Sequence, residues 1–453
     1  MNNYRLLIML LCVTLCAEVS AISSSRTIPL HSSLSGLTQC DVVLSIDEMF
    51  HLADENSKQL RPLVSGQHEA EQNVSVARSQ RLSEINVDVS FSYLGNGFIT
   101  DRNFTHFELA PMPHYGNNFA IEASQVIYAG GAIEHAIDMA ELQCDMARLQ
   151  VDEKRSAIHF LLVGYYLELY KCRNLSLVLE ENINRTREVL KEMQVREDEG
   201  IVLHNDITRY ELLLSNLELS LTQINNTLSI LNRNLTTSLG LDESIVILPD
   251  TTILHRSIPG SGCEHWINDA KENSLSLKMA ETGVKMSRKS EDIIRAERLP
   301  HIALYAGYKM DGPITIEVPP INKNFNYWFV GVGVNYKISS LFKTNKRLSR
   351  SRVATRKALE EYAAIEEKLT LEINADYVRY LEAFEELKTQ YKSVELATLN
   401  YDVTANRYRN DMAIITDMLD ASNAKLDAEQ KLVNAQINII YYYYKLLYTS
   451  GIL

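Results

Sequence analysis

The sequence predicts a mainly α-helical chain that also supplies four strands to a membrane β-barrel. Three copies would close a twelve-stranded barrel, continued by a long α-helical coiled-coil barrel and built from a tandem structural repeat. Three features of the 453 residues predict this: a long stretch free of helix breakers, an internal repeat, and alternating segments too few to close a barrel alone.

The helical rods come first. Proline is absent between Pro113 and Pro249, and neither proline nor glycine occurs over residues 334–450, a gap of 117 residues. At about 1.5 Å of rise per residue, half of that gap in one helix would run roughly 85 Å, far beyond an ordinary globular helix. Ile207, Tyr210, Leu214, Leu217, Leu221, Ile224, Leu228, Leu231 and Leu235 alternate three and four apart, which is coiled-coil spacing. In the later rod Leu419, Leu426, Val433, Ile440 and Leu447 recur seven apart, and Ala421, Ala428 and Ala435 add a thin seam that admits a close neighbour. Two seams imply two neighbours.

The repeat sets the organisation. A shift of 217 aligns Ala53, Glu55, Asn56, Ser57 and Leu60 with Ala270, Glu272, Asn273, Ser274 and Leu277. Further on, a shift of 211 aligns Tyr166, Asp206 and Gly240 with Tyr377, Asp417 and Gly451. The chain therefore divides into residues 44–250 and 251–453, each half a short helix, two strands and a long helical hairpin. Ahead of them, Arg5, the 12-residue apolar run 6–17 and the small residues Val19, Ser20 and Ala21 read as a signal peptide over 1–21. Residues 22–43, serine-rich and aperiodic, read as a flexible N-terminal leader.

Each strand pair follows from alternation. Ile85, Val87, Val89, Phe91 and Tyr93 alternate with Asn86, Asp88, Ser90 and Ser92, and a second strand falls near 118–128. In the other half Ile302, Leu304, Ala306 and Tyr308 mark one strand, and Val330, Val332, Val334 and Tyr336 another. Loops at 95–117 and 311–327, rich in Gly, Pro and Asn, join the members of each pair. The smallest membrane barrels use about eight strands, so four cannot seal their own edges and a homotrimer is expected.

Composition excludes other classes. No apolar run reaches the roughly 18 residues of a spanning helix. A net charge of −13 would repel a phosphate backbone, so nucleic acid is not a partner. Neither H-E-x-x-H nor G-x-S-x-G occurs, so no enzyme and no cofactor is expected. Cys263, Glu264 and His265 are adjacent, but on an extended segment they point apart and make no metal site. Cys40, Cys144, Cys172 and Cys263 remain after signal cleavage, with three pairings open. The run of tyrosines at 441–444 is read either as packing where the last helix meets the barrel or as an aromatic membrane belt.

From about Leu44 to Leu453 the sequence resembles the TolC-type outer-membrane efflux protein family. The resemblance rests on the duplicated order of elements, the SQVIYAGG segment from Ser124 to Gly131, and hairpin tips with a Gly-like position six residues before an Asp. Here those tips read Gly200 to Asp206 and Asp411 to Asp417, so Asp411 stands where the family usually has Gly and the second tip is open to a different turn. Three apart on one helical face, Asp417 and Asp420 would form stacked acidic rings at a threefold constriction. The resemblance implies the same, and it makes Tyr408 and Asp206 a latch of the closed state. An arginine that some members carry two residues after the Gly-like position is replaced by Ala413, so that salt bridge is absent or relocated. The family also implies a passive trimeric channel in the outer membrane, extending into the periplasm. Its implied partners are outer-membrane lipid, a periplasmic adaptor (membrane fusion) protein and an inner-membrane RND or ABC transporter. The rival reading is a periplasmic coiled-coil adaptor or scaffold without a pore, which would fractionate with the periplasmic extract.

Overall fold

The computed structural model describes residues 41–250, 262–317 and 320–453, so the expected signal peptide, residues 22–40 of the expected leader and Cys40 lie outside the described residues. In chain order the elements are β1 (Asp41–Leu44), α1 (Ile46–Asn56), α2 (Arg61–Ser79), β2 (Glu84–Tyr93), β3 (Gly97–Thr100), β4 (Phe107–Ala110), β5 (Tyr115–Tyr128), α3 (Ala132–Asp198) and α4 (His204–Leu239). They continue with β6 (Val246–Pro249), α5 (Cys263–Asn273), α6 (Leu275–Ala296), β7 (His301–Gly312), β8 (Phe325–Asn335), α7 (Ser340–Arg409) and α8 (Ile415–Ser450).

Local chemistry accounts for the element ends. Ser45 opens α1 with a reciprocal cap: its N–H donates to Glu48 Oε2 at 3.0 Å, and its Oγ accepts from the Glu48 N–H at 3.3 Å. The single first helix expected in each half is two helices. Ser57 sits at φ −60°, ψ 114° after α1, and Ser274 at φ −53°, ψ 120° between α5 and α6, so an extended residue breaks each pair, with Pro62 accommodated in the first turn of α2. With no breaker inside them, α3 and α7 run 67 and 70 residues, about 100 Å each.

The helical seams bury as their spacing requires. Ile207, Tyr210, Leu217, Leu231 and Leu235 are buried on α4, and Ala421, Ala428 and Ala435 on α8. The largest core lies at mid-height, where α1, β1, β6 and the end of α8 meet α3 around Met49, Leu162, Tyr166, Leu235 and Leu239. Asp41, Val42 and Val43, expected in the leader, instead form β1, which pairs in parallel with β6. The Tyr166 hydroxyl pins that pair to α3 by donating to the Leu44 carbonyl and accepting from the Asp250 N–H, both at 2.7 Å. The tyrosine run packs at this level too. Tyr443 meets Trp266 at 6.3 Å and Tyr380 at 6.5 Å, and Phe160 stacks on Tyr448 at 4.8 Å. Phe160 is about eight helical turns, roughly 40 Å, from the sheet end of α3, so the run is neither a barrel junction nor a membrane belt.

Two close approaches recur. Gly240, at φ +68°, ends α4 where a Cβ would stand 2.8 Å from Asn56 Cβ. Gly451, at φ +77°, ends α8 where a Cβ would stand 2.6 Å from the Asn273 carbonyl oxygen. Each terminal glycine thus folds against the end of the first short helix of its own half. Cys144, Cys172 and Cys263 are unpaired among the described residues. Residues 263–265 open a helix and are not extended as expected, and His265 pairs with Asp269 at 3.4 Å.

The four long strands form one antiparallel sheet in the order β2-β5-β7-β8. The loop expected at 95–117 carries a small extra hairpin, β3–β4, and β5 begins at Tyr115 within it. Register places Val87, Ile121, Tyr308 and Trp328 across one face and Asp88, Ala120, Lys309 and Tyr327 across the other. On the polar face Lys309 forms an ion pair with Glu122, and Asn118 hydrogen-bonds to Asp311. Below the sheet α2 packs on α3, α3 on α6 and α6 on α7. The helical layer therefore repeats the strand order, with its edges at α2 and α7 below the edge strands β2 and β8.

Candidate gate at the hairpin tips

Each helical hairpin turns at a residue of left-handed backbone: Gly200 at φ +76° between α3 and α4, and Asp411 at φ +58° between α7 and α8. The two tips turn alike despite the different residue. A side chain in that region is disfavoured unless something holds it, and here Arg196 does. From the last turn of α3 its guanidinium forms an ion pair with Asp411, donates to the Tyr408 carbonyl at 3.3 Å and lies 5.4 Å from the Tyr408 ring centroid. The bridge joins the two hairpins of the chain. Sequence reasoning passed over Arg196. The signal was an acidic residue at a glycine position, which calls for a cation across the turn.

Asp206 lies in the first turn of α4, half-buried, and Tyr408 in the last turn of α7, half-buried against the apolar cluster that includes Val189, Met193 and Ile415. Burial pushes the Tyr408 phenol upward, opposed by Arg196 and reinforced by the nearby Asp206 charge. The two share no hydrogen bond among the described residues, although Asp206 is near enough to bias the phenol. Asp417 and Asp420 are both exposed on the first two turns of α8. Asp417 Oδ2 accepts from the Ile414 N–H at 3.3 Å, while Asp420 has no partner among the described residues. One carboxylate is therefore held by its own helix terminus and the other is left free in solvent.

Above the tips a polar layer crosses the wall. Lys425 of α8, only 7% exposed, lies 5.2 Å from the Tyr401 ring centroid, with Arg185 of α3 at 5.5 Å from the same ring. Glu429 answers Lys425 at 3.7 Å and accepts from Asn182 Nδ2 at 3.0 Å. This layer joins α3, α7 and α8.

The chain thus combines an antiparallel sheet whose two edges are open among the described residues with a layer of long rods, one of whose tips carries two exposed carboxylates. The profile of a family described as outer membrane efflux protein matches residues 266–440. Outer membrane protein TolC of Vibrio cholerae serotype O1 is 21% identical over 402 residues, covering 87% of this chain and 88% of the relative. Among solved structures, the outer-membrane channel OprN superposes with a TM-score of 0.75 at 15% identity, covering 90% of this chain and 89% of its own. VceC of Vibrio cholerae gives 0.75 at 13% identity over 90% and 96%. The outer membrane channel CmeC of Campylobacter jejuni gives 0.72 at 12% over 95% and 94%. The resemblance to the TolC-type outer-membrane efflux family is thereby shown, and with it an outer-membrane location extending into the periplasm.

Proposed function

We propose that this chain is the passive outer-membrane channel of a tripartite efflux or type I secretion system. It would export small molecules or proteins through a homotrimeric tunnel that spans the periplasm. The open sheet carries the reading. Among the described residues strands β2 and β8 leave their outer edges unpaired, all ten residues of β2 are exposed, and Phe91, Trp328 and Val332 on the apolar face are 83%, 76% and 64% exposed. Water tolerates neither that face nor those edges, and a bilayer admits strands only when every edge is sealed. The sheet edges coincide with those of the helical layer, so one neighbouring copy covers both. Three copies supply twelve strands and twelve long helices. The recurring Gly240–Asn56 and Gly451–Asn273 contacts support an origin by tandem duplication.

At the narrow end Gly200 and Asp411 turn the tips toward the axis, where Asp417 and Asp420 stack as acidic rings. Like charges at close range favour cations and resist closure, so hydrogen bonds at the tips, with Tyr408 and Asp206 as the latch, hold the resting state. A periplasmic adaptor and an inner-membrane RND or ABC transporter would open it and supply the energy. Planar-bilayer recording tests this: wild type should pass a small cation-selective current that rises when Asp206→Ala or Tyr408→Phe is introduced. Unchanged current in both variants would sink the latch, and nothing but monomers in detergent ultracentrifugation would sink the channel.

A further inference from the structure

Lys or Arg occupies eight of the positions 337–357 and Asp or Glu none, in a chain of net charge −13. This basic run leads out of β8 and forms the first five turns of α7. Ser340, Thr344, Leu348, Ser351 and Thr355 are its buried face, set against α6. At about 100° per residue from that face, Lys343, Lys346, Arg347 and Arg350 share one flank, while Arg352 and Arg356 fall on the opposite one. Arg347 is paired with Glu297, the residue that caps the end of α6, whereas Lys343, Lys346 and Arg350 have no ion pair or hydrogen bond among the described residues. Like charges three and four apart on one helix repel, so the flank is held in an electrostatically unfavourable state that an anion would relieve.

The flank has a defined orientation. Lys343 and Arg347 line one cavity together with His301, Asn335 and Lys337, and Glu297 is the single carboxylate among its lining residues. His301 and Asn335 are register partners at the helical end of β7 and β8. By strand alternation they share a face with Lys309 and Asp311, the polar face of the sheet, and not with Trp328 and Val332. The cationic flank therefore continues the polar face downward.

We propose that this flank is a binding site for anionic cargo, bearing phosphate or carboxylate groups, at the junction of barrel and tunnel. The proposal rests on the channel reading, in which the polar face looks into the lumen and three copies make a basic collar. The collar is opposite in sign to the acidic tips, and a one-signed wall in a confined passage concentrates its counter-ions. The opposite flank, with Arg352 and Arg356, looks away from the lumen and serves as the control.

Two measurements on the full-length protein test it, with inorganic tripolyphosphate as the probe. Isothermal titration in uncharged detergent at low salt should show binding that weakens roughly tenfold or more in K346Q/R350Q and is unchanged in R352Q/R356Q. Neither variant should melt below wild type, because these side chains have no partners to lose and K346Q/R350Q relieves a like-charge repulsion. In bilayers of phosphatidylcholine alone, which offer no anionic headgroup, tripolyphosphate added from the barrel side should reduce wild-type current and leave K346Q/R350Q unaffected. No binding by wild type, equal losses in the two variants, or binding without any reduction of current would each overturn the collar. Flank-dependent binding in a protein that passes no current at all would keep the site and overturn the channel reading instead.

Discussion

Replacing Arg196 by alanine removes the ion pair with Asp411 and the hydrogen bond to the Tyr408 carbonyl, and leaves Asp411 in a left-handed conformation without its counter-charge. Asp411 is largely exposed, so the pair is worth about 1 kcal/mol. A change of that size shifts a two-state tip equilibrium about fivefold. Arg196→Ala should therefore raise resting conductance about fivefold in single-channel recording, and Arg196→Lys, which keeps the charge, should recover part of the closure. Adding Asp411→Gly to Arg196→Ala should moderate the effect, because glycine adopts the turn unaided. His159 offers a second test at this scale. It is buried, stacked on Phe50 at 4.2 Å and 3.0 Å from Asp54 Oδ1, and burial lowers its pKa from 6.5 against the opposing pull of Asp54. The folded state then favours neutral imidazole and the unfolded chain binds the proton more readily. Stability should fall as pH drops below about 6.5 and level off once folded His159 itself titrates. Denaturant melts of wild type and His159→Gln across pH 5 to 8 should differ in that slope, and parallel curves would exclude His159 as its source.

Among the elements, the strands carry their assignment on opposite faces. Val332 is on the apolar face, so Val332→Arg should cost about 2–4 kcal/mol in the bilayer and abolish heat-modifiable trimers in outer-membrane fractions. Asn86→Arg, on the polar face, should assemble normally. Equal behaviour of the two would mean that the faces are misassigned. In the polar layer, Lys425→Ala would strand Glu429 near the wall interior at a cost of about 3 kcal/mol, read as a lower denaturation midpoint. Lys425→Met combined with Glu429→Gln should restore most of it. The rods and the four long strands were legible because their signals are repetitive: missing breakers, a 3-4 seam, and strict alternation. Four-residue strands have no period to read. That is why β1, β3, β4 and β6 escaped, while the split of the first helix at Ser57 and Ser274 rests on a single extended residue that interrupts no apolar pattern. The tyrosine run was misplaced for a related reason. Its aromatic content says that it packs, while its height along a rod depends on which helices surround it.

The molecule as a whole exposes the sheet, the apolar flank of α7 at Phe342 and Val353, and the tips to whatever completes it. Since α2 and α7 are the outer helices of the layer, Cys substitutions at Val76 on α2 and Val353 on α7, exposed 62% and 64%, should cross-link between protomers into trimers under oxidation. Cross-linked dimers with no trimer would contradict a threefold ring. At this scale the class of protein was legible from the duplication and the tip residues, but the site was legible only in part. Asp417 and Asp420 could be put on one helical face by their spacing and Tyr408 and Asp206 entered only through the family resemblance, whereas Arg196 matters only because the fold brings the end of α3 beside the other hairpin.

The unbroken length of α3 and α7 makes the chain a ruler. No loop interrupts these helices, so a heptad added at matching heights to all four long helices would carry the tips about 10 Å further from the sheet. Adding it to one hairpin alone would leave the two tips out of step and pull Arg196 away from Asp411. In the proposed channel, the gap this protein could reach across would therefore be set by the number of residues in its helices.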